Sequence, residues 1–148
     1  MILPGFRLPQ PLNFALKKKM AYCISKTLPH TGFDAALEQV TAALKTEGFG
    51  IITEIDVQST FKKKLDVDFK KYRILGACNP HFAYKALTNE DKIGVFLPCN
   101  VVVEENETGG VEVSAVDPIA SMMAVENAAL GPLAMEVKEK LQRVMDGL

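Results

Sequence analysis

Apolar residues recur along this chain with two periods, one suited to strands and one to helices. Residues 21–27 read as a first strand, closed by a turn at Leu28, Pro29 and His30. Phe33, Leu37, Val40 and Leu44 then fall at helical spacing. Asp34 sits in the first turn, where the helix dipole favours an acid, and Gly48 supplies the stop. Phe49, Ile51, Thr53 and Ile55 alternate with Gly50, Ile52 and Glu54, which predicts a second strand with Glu54 on the face opposite Ile51 and Ile55. Asp56 is expected to cap a short helix whose apolar stripe is Val57, Phe61 and Leu65, with Lys62, Lys63 and Lys64 turned to water.

A third strand is expected from Tyr72 to Ala77, running into Cys78, Asn79 and Pro80. Asn is a good N-cap and Pro suits the first helical position, so a helix should follow, with Phe82, Ala83, Ala86 and Leu87 as its buried face. Cys78 thereby precedes a helix N-terminus. The β-branched run from Ile93 to Glu104 predicts a fourth strand, disturbed at Pro98 beside Cys99 and Asn100 because proline cannot donate to a ladder. Gly109 and Gly110 turn the chain into a fifth strand over Val111–Val116, making a hairpin. After Asp117 and Pro118 comes a short helical turn through Met122. A last helix opened by Pro132 follows, with Leu133, Val137, Leu141, Val144 and Leu148 as its stripe. Five strands with helices after the first, second, third and fifth make an α+β domain.

Charge and cysteine content narrow the function classes. The 148-residue chain has a formal net charge of −1, but its first 19 residues hold Arg7, Lys17, Lys18 and Lys19 and no acid. The remainder carries 13 bases against 18 acids, a net −5 that repels a polyphosphate, so no nucleic-acid partner is expected. No apolar run is long enough to cross a bilayer, so no membrane partner is expected either. Three cysteines, an odd number, argue against a disulfide scaffold and for a reducing, cytoplasmic setting. Pro4, Pro9 and Pro11 interrupt the opening stretch, which shows no periodicity. Residues 1–19 are therefore read as a disordered or mis-assigned extension, with Met20 as the true start and 20–148 as one domain.

The runs GFGIITEIDV (48–57), YRILGACNP (72–80), IGVFLPCNVVV (93–103) and VSAVDP (113–118) resemble the signature blocks of the domain of unknown function 302 family. The resemblance extends over residues 21–148. It implies a TATA-binding-protein-like α+β fold, with a curved antiparallel sheet of about five strands and helices packed on it. It also implies a homodimer. It implies no reaction.

Chemistry, if present, is expected at the two Cys-Asn corners. A thiol near a helix N-terminus gains thiolate character from the dipole, which makes Cys78 a candidate nucleophile, with Cys99 as its partner if the third and fourth strands are neighbours. Glu54, Asp56, Asn79, His81 and Asn100 are the polar groups that would converge on them as ligand-binding candidates. Each has a simpler reading beside it: free cysteines are commonly buried as small hydrophobes, Asp56 is a cap, and Glu54 is a solvated or lysine-paired acid. Cys78 and Cys99 are 21 residues apart with no CxxC spacing, and His30 and His81 are the only imidazoles, so no metal site is expected. Phosphate loops, nucleophile elbows and HExxH helices are missing, so no cofactor is identified. The reading that follows is a small-molecule binder with a cysteine-lined pocket between sheet and helices. Its alternatives are a non-enzymatic homodimeric interaction module, and a thiol redox or thiol-nucleophile enzyme using Cys78 and Cys99.

Overall fold

Val101 and Val103 are sealed from solvent while Val102 between them is only half-buried, the alternation that assigns one face of a strand to the core. The computed structural model describes residues 22–148; the expected extension at residues 1–19 lies outside the described residues. In chain order the elements are β1 (Cys23–Leu28), α1 (Phe33–Thr46), β2 (Gly50–Asp56), α2 (Val57–Leu65), β3 (Tyr72–Cys78), α3 (Pro80–Asn89), a 3-10 helix (Asp91–Phe96), β4 (Cys99–Glu105), β5 (Val111–Val116), α4 (Pro118–Met122) and α5 (Leu130–Asp146). The five strands form one antiparallel sheet in the order β1-β5-β4-β3-β2.

One face of that sheet, bearing Leu75, Ala77, Val101, Val103, Val113 and Ala115, packs on α1 and α5. From α1 come Phe33, Ala36, Val40 and Leu44, and from α5 Val137, Leu141, Val144 and Met145. Burying each such Leu or Val contributes about 1.5–3 kcal/mol, which makes this cluster the main source of stability. The α5 stripe is the expected one, although the helix begins at Leu130 and Leu148 lies beyond its end. A smaller cluster of Ala86, Ile93 and Leu130, joined by Leu97, Met122, Val125 and Leu133, lies under α3 and the start of α5.

Three local expectations are corrected. Residues 91–96 form a 3-10 helix and β4 begins only at Cys99, because Ile93 alone is drawn into the smaller cluster while Val95 and Phe96 face solvent. In β2 a bulge between Ile51 and Thr53 interrupts the alternation. Ile51 pairs with Ala77, Glu54 with Leu75 and Ile55 with Ile74, so Glu54 shares a face with Ile51 and not with Ile55. Finally, the α2 stripe is not core. Leu65 is 65% exposed, and Phe61 instead meets Phe69 edge-on with ring centroids 5.2 Å apart.

The opposite face of the sheet has a depression lined by Tyr22 and by strand residues that include Tyr72, Asn100, Val102, Ser114 and Val116; among the described residues, no helix residue takes part. Among the described residues, no helix is long and apolar enough to cross a membrane.

Candidate functional site

The two packed clusters do not close on each other, and the gap between them is a cavity of about 270 Å³. The sheet cluster contributes Phe49, Ala77, Cys99 and Val137 to its wall; the smaller cluster contributes Ala86, Leu97, Met122, Leu130 and Leu133. Small side chains keep the space open: Ala83 and Ala86 on α3, Ala134 on α5 and Ala77 on β3 all stand on the wall. A larger residue at any of these positions would let the clusters interdigitate, as protein interiors ordinarily do.

Both candidate thiols reach this wall. β3 and β4 are neighbours, and Cys99 lies directly across from Ala77, the residue before Cys78. Cys78 is half-buried and Cys99 buried; both are free thiols. Burial pushes the Cys99 thiol up to about 11, and the neighbouring Cys78 sulfur adds to the shift. At neutral pH Cys99 is therefore a protonated, apolar group, poorly suited to nucleophilic attack.

Among the described residues, Asn79 is the one amide on the wall, and it has 9% of its surface exposed. It occupies the N-cap position of α3, with Pro80 in the first turn as expected, but its side chain makes no capping hydrogen bond. Instead Nδ2 donates a long bond of 3.5 Å to the carbonyl of Glu47, at the C-terminal end of α1. That strand-to-helix corner is thereby tied to α1, and Glu47 is in turn gripped by Arg143 of α5 at 3.0 and 3.2 Å. The Arg143 hydrogen bonds hold the Glu47 carboxyl below its ordinary value, against the opposing effect of desolvation. Asn79 Oδ1 is buried and, among the described residues, has no hydrogen-bond partner.

The remaining sequence candidates lie elsewhere. Asn100 is exposed on the other face of the sheet, in the depression there, because consecutive strand residues point to opposite sides and Cys99 takes the inner one. His81 is exposed on α3 and does not line the cavity. Glu54 and Asp56 both pair with Arg73 on the adjoining strand, and Asp56 caps α2 by accepting from Ser59 N at 2.9 Å. Neither acid reaches the cavity. Among the described residues, no three His, Cys, Asp or Glu side chains gather in a metal-binding group.

The cavity residues that sequence reasoning missed come mostly from α3, α4 and α5: Phe82, Ala83, Ala86, Pro118, Met122, Leu130, Leu133 and Ala134. Alanines on the inner faces of two helices were the available signal, but alanine is too common in helices to mark a void.

Comparison with known proteins bears on the fold more than on the chemistry. The profile of the family described as Domain of unknown function DUF302 matches residues 24–148. Among curated proteins, none matches the chain. The crystal structure of an uncharacterised conserved DUF302 protein from Bacillus stearothermophilus is similar, with a TM-score of 0.78 and 27% sequence identity. The similarity covers 85% of this chain and 97% of that one.

Proposed function

For this chain, which belongs to the DUF302 family, we propose that it binds a small, largely apolar molecule in the cavity between its sheet and helices. The observation that carries the reading is the gap itself: about 270 Å³ of space between two hydrophobic clusters, walled by hydrocarbon, thioether and thiol side chains with a single amide. Apolar voids of about 150 Å³ stay dry and accept a benzene ring, so this one has room for a ring with a few further atoms. The space is partly open to solvent, and its apolar wall favours an apolar occupant over water. Cys78 and Cys99 then serve as soft, polarisable wall, a role that suits the raised pKa of Cys99 better than nucleophilic or redox chemistry does. The test is titration of the purified protein with toluene, followed by calorimetry and by melting temperature. Saturable heat and a rising midpoint are expected; the absence of both would remove the reading.

The sheet face that no described helix covers favours a second reading, association of two copies as an interaction module. Tyr72, Ile74, Val102 and Val116 are half-buried there, and Ile55 is 48% exposed. Half-covered apolar side chains in the middle of a sheet are a natural site for a second copy. Light scattering on wild type and Val102→Lys tests this: a dimer converted to a monomer supports the module, and a monomeric wild type ends it.

A further inference from the structure

We infer that the ligand of this cavity is an amphiphile with a linear alkyl chain, whose inner end fills the cavity and whose remaining methylenes run past Met122 into an adjoining groove between α4 and α5. The inference rests on the cavity being a binding site and names the class of molecule that the site takes.

The groove has a volume of about 550 Å³ and is lined by Ile119 of α4, by Met123 and Val125 of the loop that follows, and by Gly131, Pro132 and Met135 of α5. Among the described residues, Met122, Leu130 and Ala134 stand on the walls of both the groove and the cavity. A single layer of side chains therefore separates the two spaces. Leu130 and Ala134 lie one turn apart on α5, and both are buried. Met122 ends the five-residue α4 and is half-buried. Its unbranched thioether has three rotatable bonds and adapts to irregular spaces, while Ala134 adds only a methyl group to the partition. Turning the Met122 side chain is the smallest movement that joins groove and cavity, because it shifts no backbone.

The groove is apolar where a surface is ordinarily polar. Met123 is 79% exposed and Met135 55%, and apolar side chains gathered in a concavity open to water mark a binding surface. Among the described residues, Asn127 is the one polar side chain on the groove wall, and its hydrogen bonds are already taken. Its Nδ2 donates to the Asn89 carbonyl at 2.9 Å and to Glu90 Oε2 at 3.0 Å, and its Oδ1 accepts from Ala129 N at 3.0 Å. Among the described residues, no charged side chain lines either space, so neither wall selects an ionic group. A chain threading both meets hydrocarbon, thioether and thiol along its length, and the polar end of the molecule keeps its water at the open groove. A compact ring fills the cavity alone and leaves the groove bare.

The test is isothermal titration calorimetry with the 1-alkanols from butanol to decanol, with toluene as the probe of the cavity alone. In wild type each added methylene should tighten binding by roughly fourfold across the whole series, the gain from burying one CH₂. Gly131→Leu blocks the groove: a Cβ at this helical position meets nothing within 4 Å, so the side chain has room outside the cavity. In this variant the gain should stop partway up the series. The ratio of decanol to butanol affinity should then fall by roughly tenfold or more, the loss of about two buried methylenes. Met135→Glu, which puts a charge on the groove wall, is the second variant if Gly131→Leu does not fold, and the wild-type series decides if neither does. Toluene and butanol binding with no gain for longer chains in wild type, or an equal gain in wild type and variant, overturns the inference and leaves the cavity reading standing. Failure of toluene and of every alkanol to bind removes both.

Discussion

The hydroxyl of Thr53 fills the space beside Gly76: a Cβ on Gly76 would lie 1.9 Å from Thr53 Oγ1 and 2.7 Å from Pro98 Cγ. The two residues face each other across β2 and β3, immediately after the bulge that separates Ile51 from Thr53. The bulge, the glycine and the proline before β4 are therefore one packed unit beside the Cys78 and Cys99 corners. Gly76→Ala is expected to cost roughly 1–3 kcal/mol, read as a lower denaturant midpoint with an unchanged slope. Adding Thr53→Ala should recover part of the loss, since the Thr53 Cβ would remain 3.3 Å away and Pro98 would stay in place. No recovery at all would mean that crowding by the hydroxyl is not the cause.

Filling the cavity separates its packing cost from its use. Ala83 lies half-buried on the wall, and Ala83→Leu extends a branched side chain into the space. Cavity-filling changes of this kind stabilise by about 0.5–2 kcal/mol where the side chain fits without strain. The expected result is a higher melting temperature with toluene uptake abolished. A variant that still takes up toluene with wild-type affinity would place the bound molecule elsewhere.

Asp117 couples β5 to α4 and α5, and it does so in its charged form. It accepts from Ile119 N at 2.9 Å and Ala120 N at 3.3 Å, and it pairs with Lys138 at 2.8 Å. Burial alone would raise its pKa, but the Lys138 hydrogen bond and the two backbone N–H groups outweigh burial and lower it. A lowered carboxyl contributes stability that is present above its unfolded value of 3.8 and is lost as pH falls through the folded value. Asp117→Asn should therefore cost about 1–2 kcal/mol near neutrality. The gap from wild type should narrow in acid below the unfolded value, and a gap independent of pH would show that the charge is irrelevant.

Cys99 gives the mirror-image dependence at alkaline pH. Its thiol rises from 9.0 to about 11 on folding, so the unfolded chain loses this proton first and stability falls as pH climbs through that interval. Cys99→Ala lacks this loss. The advantage of wild type over the variant should shrink between pH 9 and 11, as followed by thermal melts. Alkylation of the folded protein near neutrality should also spare Cys99 until the chain unfolds. Rapid modification of Cys99 in the native state would contradict its burial.

Features that depend on neighbours along the chain are legible in the amino-acid order itself. The N-cap role of Asp56, Pro80 in the first turn of α3, the stop at Gly48 and the hairpin through Gly109 all arise from preferences acting within a few residues, and each stands where it is expected. Asn100 shows how far such reasoning reaches. Its sequence proximity to Cys99 suggests a shared site, yet strand geometry alone places adjacent side chains on opposite faces.

Periodicity and local turn chemistry thus settled the order of elements, five strands with helices between them, because apolar spacing dictates which backbone conformation can bury a continuous face. Which corners meet was decided by tertiary structure alone. A single extra residue in β2 moved Glu54 to the other face, and the pairing of β3 with β4 brought Cys78 and Cys99 to one wall. The packing of α1 against that corner turned Asn79 toward Glu47 and left its oxygen without a hydrogen-bond partner among the described residues. Register, bulges and voids depend on contacts between residues distant in the chain, and hydrophobic spacing within one segment holds no record of them.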